Sequence, residues 1–123
     1  MITGTGIDII ELDRIEKAIK RWGNHFLDHV FNKEEIAYAS KHKFSTQHYA
    51  ARFAAKEAVL KAFGDNAHID WKDMTITHDK HGRPVCKFNK ENFKDTIHIS
   101  ISHTHKYAVA SAIIEKKSAR AQK

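Results

Sequence analysis

One cysteine and one proline stand in 123 residues, and the longest uncharged apolar run is the eight-residue YAVASAII. The lone Cys86 excludes an internal disulfide and a cysteine zinc cage; within PVCKF it reads as a packed strand residue. An apolar run that short falls well below the about 18 residues needed to cross a bilayer. The amino terminus shows no basic region leading into an apolar one, so no membrane partner and a cytoplasmic location are expected. Glycine is scarce as well, with 5 residues, yet two of them, Gly4 and Gly6, fall in the first segment. Repeats and low-complexity linkers are absent. The only biased stretch is KKSARAQK, residues 116–123, which reads as a flexible basic tail.

What is present is a chain 41% apolar and 29% charged, the balance of a folded protein rather than a disordered one. Its length suits a single domain over residues 1–123 with one core. Twenty-one Lys and Arg against 15 Asp and Glu leave a formal charge of +6, a surface that attracts phosphates or acidic proteins.

MITGTGIDII is rich in β-branched residues and reads as a strand with Asp8 on the face of Gly4 and Gly6. ELDRIEKAIKRWG places Leu12, Ile15, Ile19 and Trp22 at helical spacing, with Gly23 as the stop. Asn32 and Glu35 resemble a capping pair opening a short helix through Ala39. A longer helix is predicted from Thr46 to Phe63, closed by Gly64. The period then changes to two. DMTITHD and RPVCKF flank KHG as a hairpin, which Pro84 assigns to an edge. TIHISISH alternates Ile97, Ile99 and Ile101 against His98, Ser100 and Ser102, and YAVASAII returns beside it. The fold class is therefore α+β, an antiparallel sheet packed against two main helices.

Glu57 is the anomaly in this pattern. At about 100° per residue it lies roughly 40° from Phe53 and 60° from Leu60, at the border of the core. An ionised carboxylate there needs a cation, hydrogen-bond donors or a proton. A salt bridge to Lys61, four residues on, is one answer. Asp8 offers another, because two carboxylates on separate elements suit Mg²⁺, which takes one or two such ligands together with waters and substrate phosphates. Both readings stay open on the residues alone.

Three blocks, GTGIDIIEL at 4–12, RFAAKEAVLKAFG at 52–64 and HISISHTHKYAVA at 98–110, resemble the signature blocks of the bacterial holo-acyl-carrier-protein synthases. These are small 4′-phosphopantetheinyl transferases, and the likeness covers nearly the whole chain. The resemblance implies Mg²⁺-dependent transfer of the 4′-phosphopantetheine arm of coenzyme A to a serine of apo acyl carrier protein. It further implies release of adenosine 3′,5′-bisphosphate, and a homotrimer with sites between subunits. Carried over, it makes Asp8 and Glu57 the metal ligands and Lys61 a cation for the bound phosphates. Arg52, Gly64, Ser102, His103 and Thr104 become coenzyme A contacts. Lys56 belongs to the same block and equally fits a solvated position.

Ser102 and His103 are adjacent strand residues pointing apart, which argues against a serine hydrolase. The base that deprotonates the acceptor serine stays open between His103 and Glu57 acting through a metal-bound water. His105, His78 and His81 lack the spacing of a zinc site and read as structural or surface residues. Arg14, Lys17 and Arg21 share a helix face that can dock an acidic helix, which the resemblance assigns to the carrier protein. Where the family often continues this arginine series, Asn24 stands instead. The alternative from another class is a small basic nucleic-acid-binding module. It calls for exposed aromatics interleaved with cations, and Trp22, Phe53 and Phe63 fit apolar stripes instead. The transferase reading therefore expects no nucleic-acid partner. A non-catalytic trimeric interaction domain gives no reason for the two carboxylates.

Overall fold

A computed structural model describes residues 1–65 and 67–117. Most of the predicted basic tail, residues 118–123, lies outside the described residues. Among the described residues five strands and four α-helices follow one another: β1 (Ile2–Glu11), α1 (Leu12–Trp22), α2 (Asn24–Val30), α3 (Lys33–Ser40), α4 (Ser45–Phe63), β2 (Met74–His78), β3 (Pro84–Phe88), β4 (Thr96–His103) and β5 (Tyr107–Glu115). A 3₁₀ turn at Trp71–Asp73 precedes β2. The α+β class and the antiparallel pairing follow the sequence pattern.

The three-stranded sheet runs β1-β5-β4, all antiparallel, so the first strand closes against the last. β2 and β3 form a separate hairpin, with Pro84 opposite His78 at its end. Helix α4 lies along one face of the three-stranded sheet, and α1 packs on α4 and the end of β1. The layer between them is built from small side chains. Ala50, Ala54, Ala58 and Ala62 of α4 are buried with Ala108, Ala110 and Ala112 of β5. On β1 even alanine is too large: a β-carbon on Gly4 or Gly6 would lie 2.0 Å from the carbonyl oxygen of Ala62 or Ala58. Backbone thus rests on backbone, and the two glycines are required by proximity rather than by dihedral angle.

The opposite sheet face is uncovered. Thr5, Ile7 and Ile9 of β1 stand in rows with Ile113, Ser111 and Val109 of β5, then His98, Ser100 and Ser102 of β4. Ile7 and Ile9 are 65% and 64% exposed, an unusual position for isoleucine in mid-strand.

Two features differ from expectation. Gly23 ends α1 with φ +54, donating its N–H to the Ile19 carbonyl at 2.7 Å, but the chain restarts at once as α2. A positive-φ glycine here bends the path without dispersing it. Trp22, placed by spacing in the apolar stripe, is instead exposed at the last residue of α1, with the Arg21 guanidinium 4.9 Å from its ring centroid.

Candidate active site

Asp8 is the next residue after Gly4 and Gly6 on the strand face turned toward α4, where the bare surface first gains a side chain. Across from it, α4 presents Glu57 and Lys61. Lys61 Nζ donates to Asp8 Oδ1 at 3.1 Å and to the Ile7 carbonyl at 3.0 Å. Asp8 is mostly buried, with 15% of its side-chain surface exposed, while Lys61 keeps about half of its own. The Glu57 carboxyl is held above the usual carboxylate range, first by burial and second by the charge of Asp8, with Lys61 acting in the opposite sense. This settles the local alternative: Lys61 pairs across the layer with Asp8, and among the described residues no Glu57 salt bridge forms within 4.0 Å.

Asp8 and Glu57 thus bring two carboxylates to one edge of the packed layer, the charge of Asp8 acting on Glu57. No cluster of three His, Cys, Asp or Glu side chains capable of holding a metal occurs among the described residues. Asp8 and Glu57 are the two carboxylates of this layer that could hold a cation together with oxygens from a bound ligand or water.

The other residues singled out in the sequence are dispersed around this pair. Arg52 is 3% exposed; its guanidinium lies 4.3 Å from the centroid of the Tyr38 ring and its Nη2 3.4 Å from His78 Nδ1. Its buried Nε has no hydrogen-bond partner among the described residues. About 140° separates it from Glu57 around the helix. Around Tyr38 gather His42, His48 and His78, with ring centroids at 4.6, 5.5 and 5.0 Å. No local pattern announces this cluster, because its members come from α3, the turn after it, α4 and β2.

Ser102 faces the uncovered side of the sheet, opposite to Asp8, in a shallow depression with Ile7 and Val109. His103 is exposed at the end of β4, on the other face by strand alternation, and its charge is one of those that disfavour protonation of His48. Thr104 shapes the β4–β5 turn: its Oγ1 accepts from the N–H groups of Lys106 and Tyr107 at 3.2 and 3.1 Å. Gly64 closes α4 with φ +86. Lys56 is neither solvated nor near a ligand surface. It is fully buried against Glu35 at 2.6 Å, enclosed by α3, the end of α2 and the segment around Trp71.

A cavity of about 590 Å³ lies away from the carboxylate pair. It lies between Glu11, Asp13 and Glu16 on one side and Lys43, Phe44 and Lys106 on the other. On α1, Lys17 is engaged by Asp13 at 2.9 Å, and Lys20 by Glu16 at 3.3 Å. Neither Arg14 nor Arg21 has a salt-bridge partner among the described residues, so these two carry the free charge of the basic stripe.

Comparison with known proteins agrees with this architecture. Residues 4–112 match the model of the 4′-phosphopantetheinyl transferase superfamily, and the chain belongs to that family. Among curated relatives, the holo-[acyl-carrier-protein] synthases of Koribacter versatilis (strain Ellin345) and Geobacter sp. (strain M21) are 40% and 41% identical to it. Each alignment spans 94% of this chain, and 99% and 100% of the respective relative. A crystal structure of a holo-(acyl-carrier-protein) synthase from Bacillus anthracis str. Ames in complex with CoA (3′,5′-ADP) superposes with a TM-score of 0.84. It is 36% identical, with 95% of this chain and 99% of that one covered. The Helicobacter pylori holo-[acyl-carrier-protein] synthase in complex with coenzyme A gives a TM-score of 0.80 at 30% identity, covering 90% of this chain and 99% of that one.

Proposed function

We propose that this protein transfers the 4′-phosphopantetheine group of coenzyme A to a serine of apo acyl carrier protein. The serine oxygen bonds to the β-phosphorus as the phosphoanhydride bond to adenosine 3′,5′-bisphosphate breaks, and the serine proton passes to a base that stays unassigned between His103 and Glu57. The observation that carries the reading is the convergence of Asp8, Glu57 and Lys61 across the β1/α4 layer. Asp8 and Glu57 would hold Mg²⁺, which when bound neutralises charge accumulating on the diphosphate oxygens. Lys61, already aimed at Asp8, supplies a donor for the same oxygens. Arg52, Gly64, Ser102, His103 and Thr104 are assigned to coenzyme A.

The subunits assemble as a homotrimer through the uncovered sheet face. Exposed Ile7 and Ile9 beside Ile113 support this, since a contiguous apolar strip marks an association surface. Packing there places one chain's Ser102 in a subunit interface. The carrier protein docks on the free charges of Arg14 and Arg21, with Lys17 beside them. A cytoplasmic location follows from these partners, and no described helix is long and apolar enough to cross a membrane.

Intact-mass spectrometry of apo carrier protein with coenzyme A and this enzyme tests the reading. Carrier mass should rise by one phosphopantetheine in Mg²⁺ and stay unchanged with chelator. No increase under any divalent ion overturns it. Binding of nucleic acid with no carrier modification is the outcome belonging to the basic-module alternative.

A further inference from the structure

Lys56 and Glu35 form an ion pair with both side chains fully buried. All three Lys56 donors are used and both Glu35 oxygens accept. Lys56 Nζ donates to Glu35 Oε1 at 2.6 Å, to the Val30 carbonyl at 2.8 Å and to the Trp71 carbonyl at 3.0 Å. Glu35 Oε1 accepts from the Asn32 N–H at 2.8 Å, and Oε2 from the Ile76 N–H at 2.9 Å. The lysine end is lined by carbonyls and the carboxylate end by N–H groups, so the pair has one orientation only. Asn32 extends the network, donating from Nδ2 to the Met74 carbonyl at 2.9 Å and to Thr75 Oγ1 at 2.8 Å. One side of α4 is thereby tied to α3, to the end of α2 and to the 71–76 segment.

The other side of α4 rests on the bare glycines of β1. That contact fixes how close helix and strand come, but Gly4 and Gly6 offer no side chain against which the helix could set its rotation. Glu57 follows Lys56 in sequence, about 100° around the helix. A carboxylate on a helix periphery of about 5 to 6 Å radius moves roughly 2 Å for a 20° rotation. That displacement is as large as an entire Mg²⁺–oxygen bond, about 2.1 Å.

We infer that the buried pair Lys56 and Glu35 is a positioning device for Glu57, fixing the rotation of α4 so that the Glu57 carboxylate meets Asp8 at one cation. This rests on the proposed assignment of Asp8 and Glu57 as the metal-holding pair. Lys56 and Glu35 are positioning residues that touch neither substrate nor metal.

The test measures Mn²⁺ binding by electron paramagnetic resonance in the presence of coenzyme A, well below the unfolding midpoint of every variant. Lys56→Met and Glu35→Gln should each weaken Mn²⁺ binding about 10- to 100-fold, the range for residues that orient a metal ligand. The Mg²⁺ concentration for half-maximal turnover should rise by a similar factor. Ile114→Val, a core change at the far end of the sheet, is the control for lost stability and should leave both readouts unaltered. Where a single variant does not fold, Lys56→Met/Glu35→Met removes both charges together, leaves no buried charge unpaired, and carries the same expectation. Folded variants with wild-type Mn²⁺ affinity would reduce the pair to a stability element and overturn the inference. Glu57→Gln separates the two layers of the argument. If it binds Mn²⁺ like the wild type, the metal assignment and this inference fall together. If it loses Mn²⁺ while the Lys56 and Glu35 variants keep it, the positioning role alone fails.

Discussion

Gly6 and Ala58 meet so closely that a β-carbon on Gly6 would sit 2.0 Å from the Ala58 carbonyl oxygen. No rotamer change relieves a clash with backbone, so the strand and helix must separate. Gly6→Ala should destabilise the fold by about 3 kcal/mol or more, the upper range for overpacking. Chemical denaturation measures this. A variant as stable as wild type would mean that the layer is looser than the structure shows.

Glu57 should make the protein's stability depend on pH in a characteristic direction. Its carboxyl is harder to ionise in the folded chain than in the unfolded one, first because of burial and then because of Asp8. Ionisation therefore costs stability. The penalty is absent below the unfolded-state value, about 4.3, grows as pH rises through it, and is complete above the raised folded value. Without metal, Glu57→Gln should match or exceed wild-type stability at neutral pH, and the difference should vanish in acid. Mg²⁺ with coenzyme A should stabilise wild type only, and metal-dependent turnover should be lost in the variant. Thermal unfolding across pH, with and without metal, reads all of these; unfolding of Glu57→Gln at pH 7 would contradict them.

Histidine protonation should act on the opposite flank. Burial, then the charges of His42, Arg52, His103 and His78, holds His48 below the usual histidine range, and burial followed by Arg52 does the same to His78. Because the folded chain prefers these rings neutral, stability is complete above about pH 6.5 and declines as pH falls through that value toward the lower folded ones. His48→Gln should flatten this decline in a melting-temperature profile between pH 7 and 5. An unchanged slope would assign the acid sensitivity elsewhere.

Arg14→Glu should weaken carrier-protein binding roughly three- to tenfold, equivalent to about 0.6 to 1.4 kcal/mol, and the effect should shrink in high salt. Coenzyme A affinity should stay at the wild-type value. Lys17→Glu should do less than Arg14→Glu at equal salt, because Asp13 already engages Lys17. Calorimetry with each ligand checks both; equal loss of the two affinities would remove the docking assignment.

Asp8 and Glu57 were legible in the sequence because two simple periodicities each placed a carboxylate against an apolar or bare face. The partner of Lys61 was not, since its spacing from Glu57 satisfies a helical ion pair just as well as a contact across the layer. The burial of Lys56 was not legible, because Glu57 beside it leaves the local pattern compatible with a solvated position and its partners Glu35, Val30 and Trp71 are remote in sequence. Glu35 was recognised as a cap, but its second partner is remote in sequence. The restart at α2 was hidden because glycine ends helices far more often than it joins two. The histidine cluster depends on chain crossings that no local pattern encodes.

Ser102 and Asp8 look out from opposite surfaces of one sheet, so a solitary chain holds the pieces of its proposed reaction centre back to back. Two defective variants, Asp8→Asn and Ser102→Arg, should then regain turnover when unfolded together and refolded as a mixture, because some interfaces would unite an intact half from each. On the proposed homotrimer, dilution that parts the subunits should extinguish activity.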